Sequence, residues 1–181
     1  MTIQVGQPAP LFSAPSAYPG DGPKDSVKRI SLSDYRGKWL FLMWYPFDFT
    51  FVCPTEILAL SDRMGEFDEL DCAILGASCD SIHSHRAWMR VSREEGGIEG
   101  LSYPLLADKT GRIARDYGIL IEEEGCSLRG LFLINPDGIL VHATINSNTV
   151  GRNVNEALRT LQAFQSGGLC GSDWKPGDNN L

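Results

Sequence analysis

The stretch WLFLMWY, residues 39–45, is an unbroken apolar run that ends at Pro46. A short run without polar alternation is typical of a strand buried on both faces, which requires other layers of structure above and below the sheet. Seven residues are far too few to cross a bilayer, since a membrane-spanning helix needs about 20. We therefore interpret this run as the central strand of an α/β domain.

Strand and helix patterns alternate after this run. Apolar residues spaced by three and four predict two helical stripes, which are Ile57, Leu60, Met64 and Phe67, and Val154, Leu158, Leu161 and Phe164. Further helices are predicted over 83–95 and 112–117, and a second strand over 72–78. Strands at 131–134 and 139–141 flank Asn-Pro-Asp-Gly, a good hairpin turn. This order predicts a thioredoxin-like three-layer α/β fold with a mixed central sheet.

Two segments lack this periodicity. Residues 14–28 are rich in Pro, Gly, Ser and Asp, which predicts a surface loop. Residues 169–181 follow two glycines and predict an extended C-terminal arm. We accordingly expect one thioredoxin-like domain over residues 1–168 and an arm over 169–181, since a chain of 181 residues is the size of a single domain.

The net charge of −7 limits the classes of partner. A nucleic-acid surface needs a basic patch or stripe, and an anionic membrane repels an acidic protein. We therefore expect neither nucleic acid nor membrane as a partner. The first residues, MTIQ, lack the basic and apolar segments of a secretory signal, so a cytoplasmic location is expected.

The chain contains five cysteines, namely Cys53, Cys72, Cys79, Cys126 and Cys170. No CxxC pair occurs, which disfavours a zinc ribbon or a thioredoxin-type dithiol, and an odd number disfavours a disulfide-stapled scaffold. His83 and His85 lack a third ligand nearby, so no metal site is expected. No phosphate-binding glycine loop is present either.

Cys53 lies between the predicted central strand and the first helix. Pro54 suits the first helical position, where the missing N–H has no cost, and Glu56 could close the helix cap. The thiolate is the reactive form of cysteine, and helix N-termini favour it. A lone cysteine is more often a small buried apolar residue, and we expect that role for Cys72, Cys79 and Cys126.

Residues 46–56, PFDFTFVCPTE, closely resemble the active-site signature of typical two-cysteine peroxiredoxins, the alkyl hydroperoxide reductase C group. The resemblance continues through LRGLF at 128–132, VGR at 150–152, and Cys170 with WKPG at 174–177, so that it covers essentially the whole chain. It implies a thiol-dependent peroxidase that reduces hydrogen peroxide and organic hydroperoxides without metal, haem or flavin.

The resemblance also implies individual roles. Cys53 would attack the peroxide O–O bond and become a sulfenic acid. Thr50 would orient the peroxide, and Pro46 would shield the intermediate from water. Arg129 would favour the thiolate and polarise the peroxide, and Glu56 would position Arg129.

Two further residues complete this set. Arg152 resembles a second, more peripheral arginine of the same network. Cys170 resembles the resolving cysteine, which would form an intersubunit disulfide with Cys53. An external dithiol, either a thioredoxin-like protein or a dedicated flavoprotein system, would then reduce that disulfide. The resemblance implies a homodimer that can assemble into a ring of five dimers, with Phe47 and Phe49 as candidates for packing across interfaces.

Alternative functions remain open from the sequence. An oligomeric holdase chaperone would act without Cys53, and a peroxide sensor would pass its oxidation to a client protein. Some family members carry a GGLG loop and a C-terminal Tyr-Phe segment that make them easily over-oxidised. Residues 96–99, GGIE, match that loop only in part and no Tyr-Phe pair follows the arm, so we expect resistance to over-oxidation.

Overall fold

The computed structural model describes residues 3–181. In chain order the elements are β1 (Ser13–Ala17), β2 (Lys28–Ser31), β3 (Trp39–Trp44), α1 (Val52–Ser61), α2 (Met64–Glu69), β4 (Cys72–Ser78), α3 (Ile82–Trp88), β5 (Leu105–Ala107), α4 (Arg112–Asp116), β6 (Leu120–Ile121), β7 (Cys126–Ser127), β8 (Arg129–Ile134), β9 (Leu140–Asn146) and α5 (Val154–Gln165). Among these described residues, no helix is long and apolar enough to cross a membrane.

Seven strands form one sheet in the order β2-β1-β5-β4-β3-β8-β9. The central strand β3 pairs in parallel with β4 and antiparallel with β8. Of the six neighbouring pairs, β3–β4 and β4–β5 are parallel and the other four are antiparallel. The predicted mixed sheet is therefore confirmed. Strands β6 and β7 form a separate two-stranded ribbon.

The apolar run at 39–45 is buried on both faces of the sheet, as predicted. Because side chains alternate along a strand, the run divides between two cores. Phe41, Met43 and Tyr45 pack with apolar residues of α1, α2, α3 and α5. Leu40, Leu42 and Trp44 pack on the other face with residues of α4 and the N-terminal segment. The thioredoxin-like three-layer fold is confirmed.

The predicted surface loop over residues 14–28 is wrong at its start and at its last residue, Lys28, which begins β2. Residues 13–17 form β1, which pairs antiparallel with both β2 and β5. Ala14 and Ala17 are buried, and Ser16 is completely covered. Small side chains and one proline hide this strand in the sequence, because they carry little apolar signal. Residues 18–27 contain no strand or helix, as predicted.

Two predicted helices are shorter than expected. The stripe from Ile57 to Phe67 is divided, since α1 ends at Ser61 and α2 begins at Met64. The helix expected over 83–95 ends at Trp88, and a short 3-10 helix follows at Arg93–Glu95. The chain folds back so closely here that a Cβ on Gly97 would stand 2.0 Å from the Val91 carbonyl oxygen.

In the C-terminal half the elements that were predicted are present, but β5, β6 and β7 were not predicted. The predicted helix over 112–117 is α4, the hairpin strands are β8 and β9, and the last stripe is α5. Residues 169–181 contain no helix or strand, but they turn back along the domain. Trp174 is buried, and its carbonyl accepts a hydrogen bond of 3.2 Å from Arg159.

Candidate active site

The loop between β3 and α1 carries the predicted signature residues. Phe49 adopts a φ of 56°, the left-handed conformation that is strained for a bulky side chain. Helix α1 begins at Val52, which places Cys53 at its second position. Pro54 is therefore the third helical residue rather than the first. Its missing N–H still has no cost, because the first N–H groups of a helix lack intrahelical partners.

Cys53 is completely buried at this helix start. Its sulfur lies 3.4 Å from Nη1 of Arg129, which is the first residue of β8. Within residues 3–181, the sulfur has no hydrogen-bond partner other than this guanidinium. A cation and a helix N-terminus both favour the thiolate over the thiol.

Arg129 is held rigidly in this position. Its Nε and Nη2 donate to the carbonyl oxygen of Asn148 at 3.0 and 2.9 Å. Its Nη1 donates to Oε2 of Glu56 at 2.6 Å. Since the planar guanidinium presents its donors in a fixed fork, these contacts fix the donor that faces Cys53.

Glu56 joins Arg129 to a second arginine. Oε1 of Glu56 accepts from the backbone N–H and the Nε of Arg152, each at 2.7 Å, and Oε2 accepts from Nη2 at 3.0 Å. Burial alone would raise the pKa of Glu56, but the hydrogen bonds and charge of Arg152 and the charge of Arg129 lower it below its ordinary value. The sequence allows Glu56 to close the cap of α1, but its carboxylate bonds to the two arginines and α1 has no side-chain cap hydrogen bond.

Arg152 bonds to Glu56 and, among the described residues, makes no hydrogen bond to the Cys53 sulfur. Its Nη1 also donates to the carbonyl oxygens of Trp44 and Gly130, at 2.8 and 2.6 Å. These contacts tie the end of β3, the start of β8 and α1 together. The role that the resemblance implies for Arg152 stays a prediction.

Thr50 and Pro46 lie on the same loop as Phe49. The hydroxyl of Thr50 donates to the carbonyl oxygen of Phe47 at 3.1 Å, and this residue is half-buried. Pro46 is buried. The Thr50 hydroxyl thus bonds to its own loop, three residues before Cys53, and is not bonded to the sulfur.

Cys170 follows the C-terminal end of helix α5. Its sulfur is 3.4 Å from the Ser166 hydroxyl and 3.6 Å from Oδ1 of Asn180. Cys170 and Cys53 are both free thiols. In the described part of the chain, no hydrogen bond or disulfide connects them.

The remaining cysteines are buried, as expected for packing residues. Burial raises the pKa of Cys72 and of Cys79 to about 12. Burial, together with a hydrogen bond to Glu124, raises the pKa of Cys126 to about 11. These three thiols are therefore protonated at neutral pH, whereas the Cys53 sulfur lies 3.4 Å from the Arg129 guanidinium.

The sequence analysis missed Asn148, which orients Arg129. This residue acts through its backbone carbonyl, so its side chain gives no signal in the sequence.

Three large apolar side chains close in sequence to the site residues are exposed, namely Phe49, Phe51 and Val150. Within residues 3–181, no group of three or more His, Cys, Asp or Glu side chains is placed to hold a metal ion.

Comparison with known proteins identifies the family. Residues 5–143 match the AhpC/TSA family model. The chain is 50% identical to thioredoxin peroxidase of Echinococcus granulosus, over 100% of this chain and 93% of the relative. It is 49% identical to peroxiredoxin-2 of Bos taurus, over 98% and 88%. The reduced 2-Cys peroxiredoxin of Plasmodium vivax superimposes with a TM-score of 0.91 at 36% identity, covering 97% of this chain and 91% of that one. The chain therefore belongs to the AhpC/TSA family and, within it, to the peroxiredoxins.

Proposed function

We propose that this thiol-dependent peroxidase reduces hydrogen peroxide and organic hydroperoxides at Cys53. The observation that supports this assignment best is the 3.4 Å contact between the buried sulfur of Cys53 and Nη1 of Arg129, at the start of α1. The contact places a cation against the sulfur, and nearby cations favour the thiolate form of a cysteine. The same guanidinium can stabilise the negative charge that develops on the peroxide oxygens.

In the first step, the Cys53 thiolate attacks the terminal oxygen of the peroxide. The S–O bond forms as the O–O bond breaks, and the leaving oxygen takes a proton to depart as water or an alcohol. Cys53 is oxidised to a sulfenic acid. In this proposal Arg129 polarises the peroxide, the Thr50 hydroxyl orients it, and Pro46 shields the sulfenic acid. Glu56 and, behind it, Arg152 hold Arg129 in place.

In the second step, the thiol of Cys170 of the partner subunit condenses with this sulfenic acid. A disulfide forms and water leaves. An external dithiol, from a thioredoxin-like protein or a dedicated flavoprotein system, reduces the disulfide by exchange. The absence of helix and strand from 169–181 supports an arm that can move, attached to a domain of residues 1–168.

The assembly proposed with this mechanism is a homodimer, which can form a ring of five dimers. We also propose a reducing compartment, the cytoplasm, as the location. Five free thiols support this placement, since disulfides form and persist in oxidising compartments.

The test is oxidation of the reduced protein with one equivalent of hydrogen peroxide, followed by non-reducing gels and mass mapping. We expect a dimer linked by Cys53 and Cys170. Cys53→Ser should abolish both peroxide consumption and the linked dimer. Cys170→Ser should consume one equivalent and leave a sulfenic acid at Cys53. Cys72→Ser is the matched control and should behave as wild type. Peroxide consumption by Cys53→Ser at the wild-type rate would refute the proposal.

A further inference from the structure

A second buried polar cluster lies beneath the loop that carries Pro46 and Thr50. The Tyr45 hydroxyl donates to Oδ1 of Asp48 at 2.9 Å, and Nδ1 of His85 lies 2.9 Å from Oδ2 of the same carboxylate. The backbone N–H of Asp48 donates to Oδ2 of Asp80 at 2.9 Å. The mechanism above uses none of these side chains.

His85 is completely buried, and both of its ring nitrogens face acceptors. Nδ1 faces the Asp48 carboxylate, and Nε2 lies 3.3 Å from the carbonyl oxygen of Leu106 in β5. A neutral imidazole carries one N–H and could donate to only one of them. The imidazolium carries two, so the charged form of His85 satisfies both contacts and pairs with the Asp48 carboxylate.

The other groups around His85 are consistent with this charge. Burial and the charge of Asp48 raise the pKa of Tyr45 well above its ordinary value, which keeps its hydroxyl as a donor. Burial and the charge of Asp48 also raise the pKa of Asp80, and the positive charge of His85 opposes that rise. The charged or titratable groups that face His85 are therefore Asp48 on the loop, Tyr45 at the end of the central strand and Asp80 after β4.

We propose that His85 is a positioning residue for the peroxidase reaction, which acts through its ion pair with Asp48 to hold the loop of residues 46–51 in its reactive conformation. This inference rests on the proposed function of Cys53. His85 touches neither the sulfur nor the substrate site. It acts from α3 on Asp48, which stands between Pro46 and Thr50.

The loop needs contacts that hold its conformation, because its backbone is strained. Phe49, next to Asp48, adopts a φ of 56°, and its side chain packs on Trp88 of α3 with ring centroids 5.8 Å apart. A strained conformation persists only where surrounding contacts determine it. The ion pair between Asp48 and His85 supplies one such contact, and the N–H of Asp48 bonded to Asp80 supplies another.

The deciding experiment compares His85→Gln with His83→Gln in the full-length protein. His83 is exposed on the same helix, two residues away, so it is a matched control. We expect His85→Gln to lower the hydrogen-exchange protection of residues 46–51. We also expect it to slow Cys53 oxidation by hydrogen peroxide at least about tenfold, since a displacement of about 1 Å in a reacting group can cost about 100-fold. The control should change neither.

Two readouts separate positioning from a loss of stability. The thiolate fraction of Cys53, followed by its ultraviolet absorbance, should stay the same in both variants, because the contact with Arg129 is untouched. The rate constant with hydrogen peroxide, divided by that fraction, should fall at least about tenfold in His85→Gln and keep the wild-type value in His83→Gln. Asp48→Asn, which keeps the shape of the side chain and removes its charge, should lower it as well.

Loop protection in His85→Gln equal to that of the control would overturn the proposal, whatever the peroxide reactivity. Lower protection with an unchanged rate constant would also overturn it, because the loop would then not matter to the reaction. If wild-type Cys53 formed no sulfenic acid with peroxide, the proposed function would fail instead. The exchange measurement would still decide whether His85 holds the loop.

Discussion

Glu56 is the residue on which the charge balance of the site depends. Its buried carboxylate accepts hydrogen bonds from Arg129 and Arg152, so that one anion faces two cations. The remaining positive charge is available to a thiolate at Cys53. Removing the carboxylate would leave two guanidinium groups side by side in a buried place. Breaking a buried pair in this way generally costs about 3–5 kcal/mol.

The substitution Glu56→Gln should therefore lower the free energy of unfolding by about 3–5 kcal/mol near neutral pH. Because the pKa of Glu56 is lowered in the folded state, its stabilising contribution is present above the unfolded-state pKa and is lost as pH falls through the folded-state value. The difference between Glu56→Gln and wild type should shrink steadily on acidification. Urea unfolding across a pH series measures it.

The control for this prediction is Glu69→Gln, at an exposed position in α2. This variant should unfold like wild type throughout the series. A stability difference for Glu56→Gln that stays constant from neutral to acidic pH would contradict the prediction, since it would show that ionisation of Glu56 is not the source of the effect.

Around Cys53, the residues that act through their side chains were predictable from the sequence, and the backbone carbonyl that holds Arg129 was not. Cys53, Arg129, Glu56 and Arg152 were predicted from residue type and resemblance, and the structure brings them together. Asn148 was missed because its carbonyl oxygen holds Arg129. The catalytic roles of the predicted residues remain predictions.

At the scale of elements, strands and helices were predictable where large apolar residues form a regular pattern in the sequence. The run at 39–45 predicts β3 and its two buried faces because every residue in it is large and apolar. Strand β1 was missed because Ala14, Pro15 and Ser16 carry no such signal. The break at residues 62–63 was missed because the helical spacing of apolar residues continues across it, although the helix itself is interrupted there.

Helix α5 allows a direct test of one local signal. Its N-cap is Asn153, whose Oδ1 accepts from the backbone N–H groups of Asn155 at 2.8 Å and Glu156 at 3.4 Å. Asn153→Ala would leave both donors without this partner. We expect a loss of about 1 kcal/mol in unfolding free energy, as is typical for N-cap residues.

Asn153→Asp is the matched variant, since aspartate caps helices as well as asparagine does and adds a favourable charge at the N-terminus. It should be at least as stable as wild type. Chemical denaturation of the three proteins measures the difference. Equal stability of Asn153→Ala and wild type would show that the cap contributes nothing in this fold.

For the whole molecule, the proposed second step depends on the arm of residues 169–181, which packs against its own domain in the single chain. Trp174 is buried, its carbonyl accepts from Arg159, and the N–H of Leu181 donates to the carbonyl of Leu169 at 2.8 Å. In the proposed second step, Cys170 on this arm must leave its contacts to reach Cys53 of the partner subunit. The strength of these contacts therefore limits how often the arm is free.

Trp174→Ala should loosen the arm because it removes the largest buried side chain between residues 169 and 181. After rapid mixing with peroxide, the first phase, oxidation of Cys53, should be unchanged, since Trp174 lies outside that site. The second phase, disulfide formation, should accelerate. Hydrogen exchange should show lower protection in residues 169–181.

Trp174→Phe is the control. The indole N–H of Trp174 has no hydrogen-bond partner among the described residues, and the phenyl ring keeps most of the apolar contact. A second phase equally fast in wild type and Trp174→Ala would show that release of the arm does not limit the reaction.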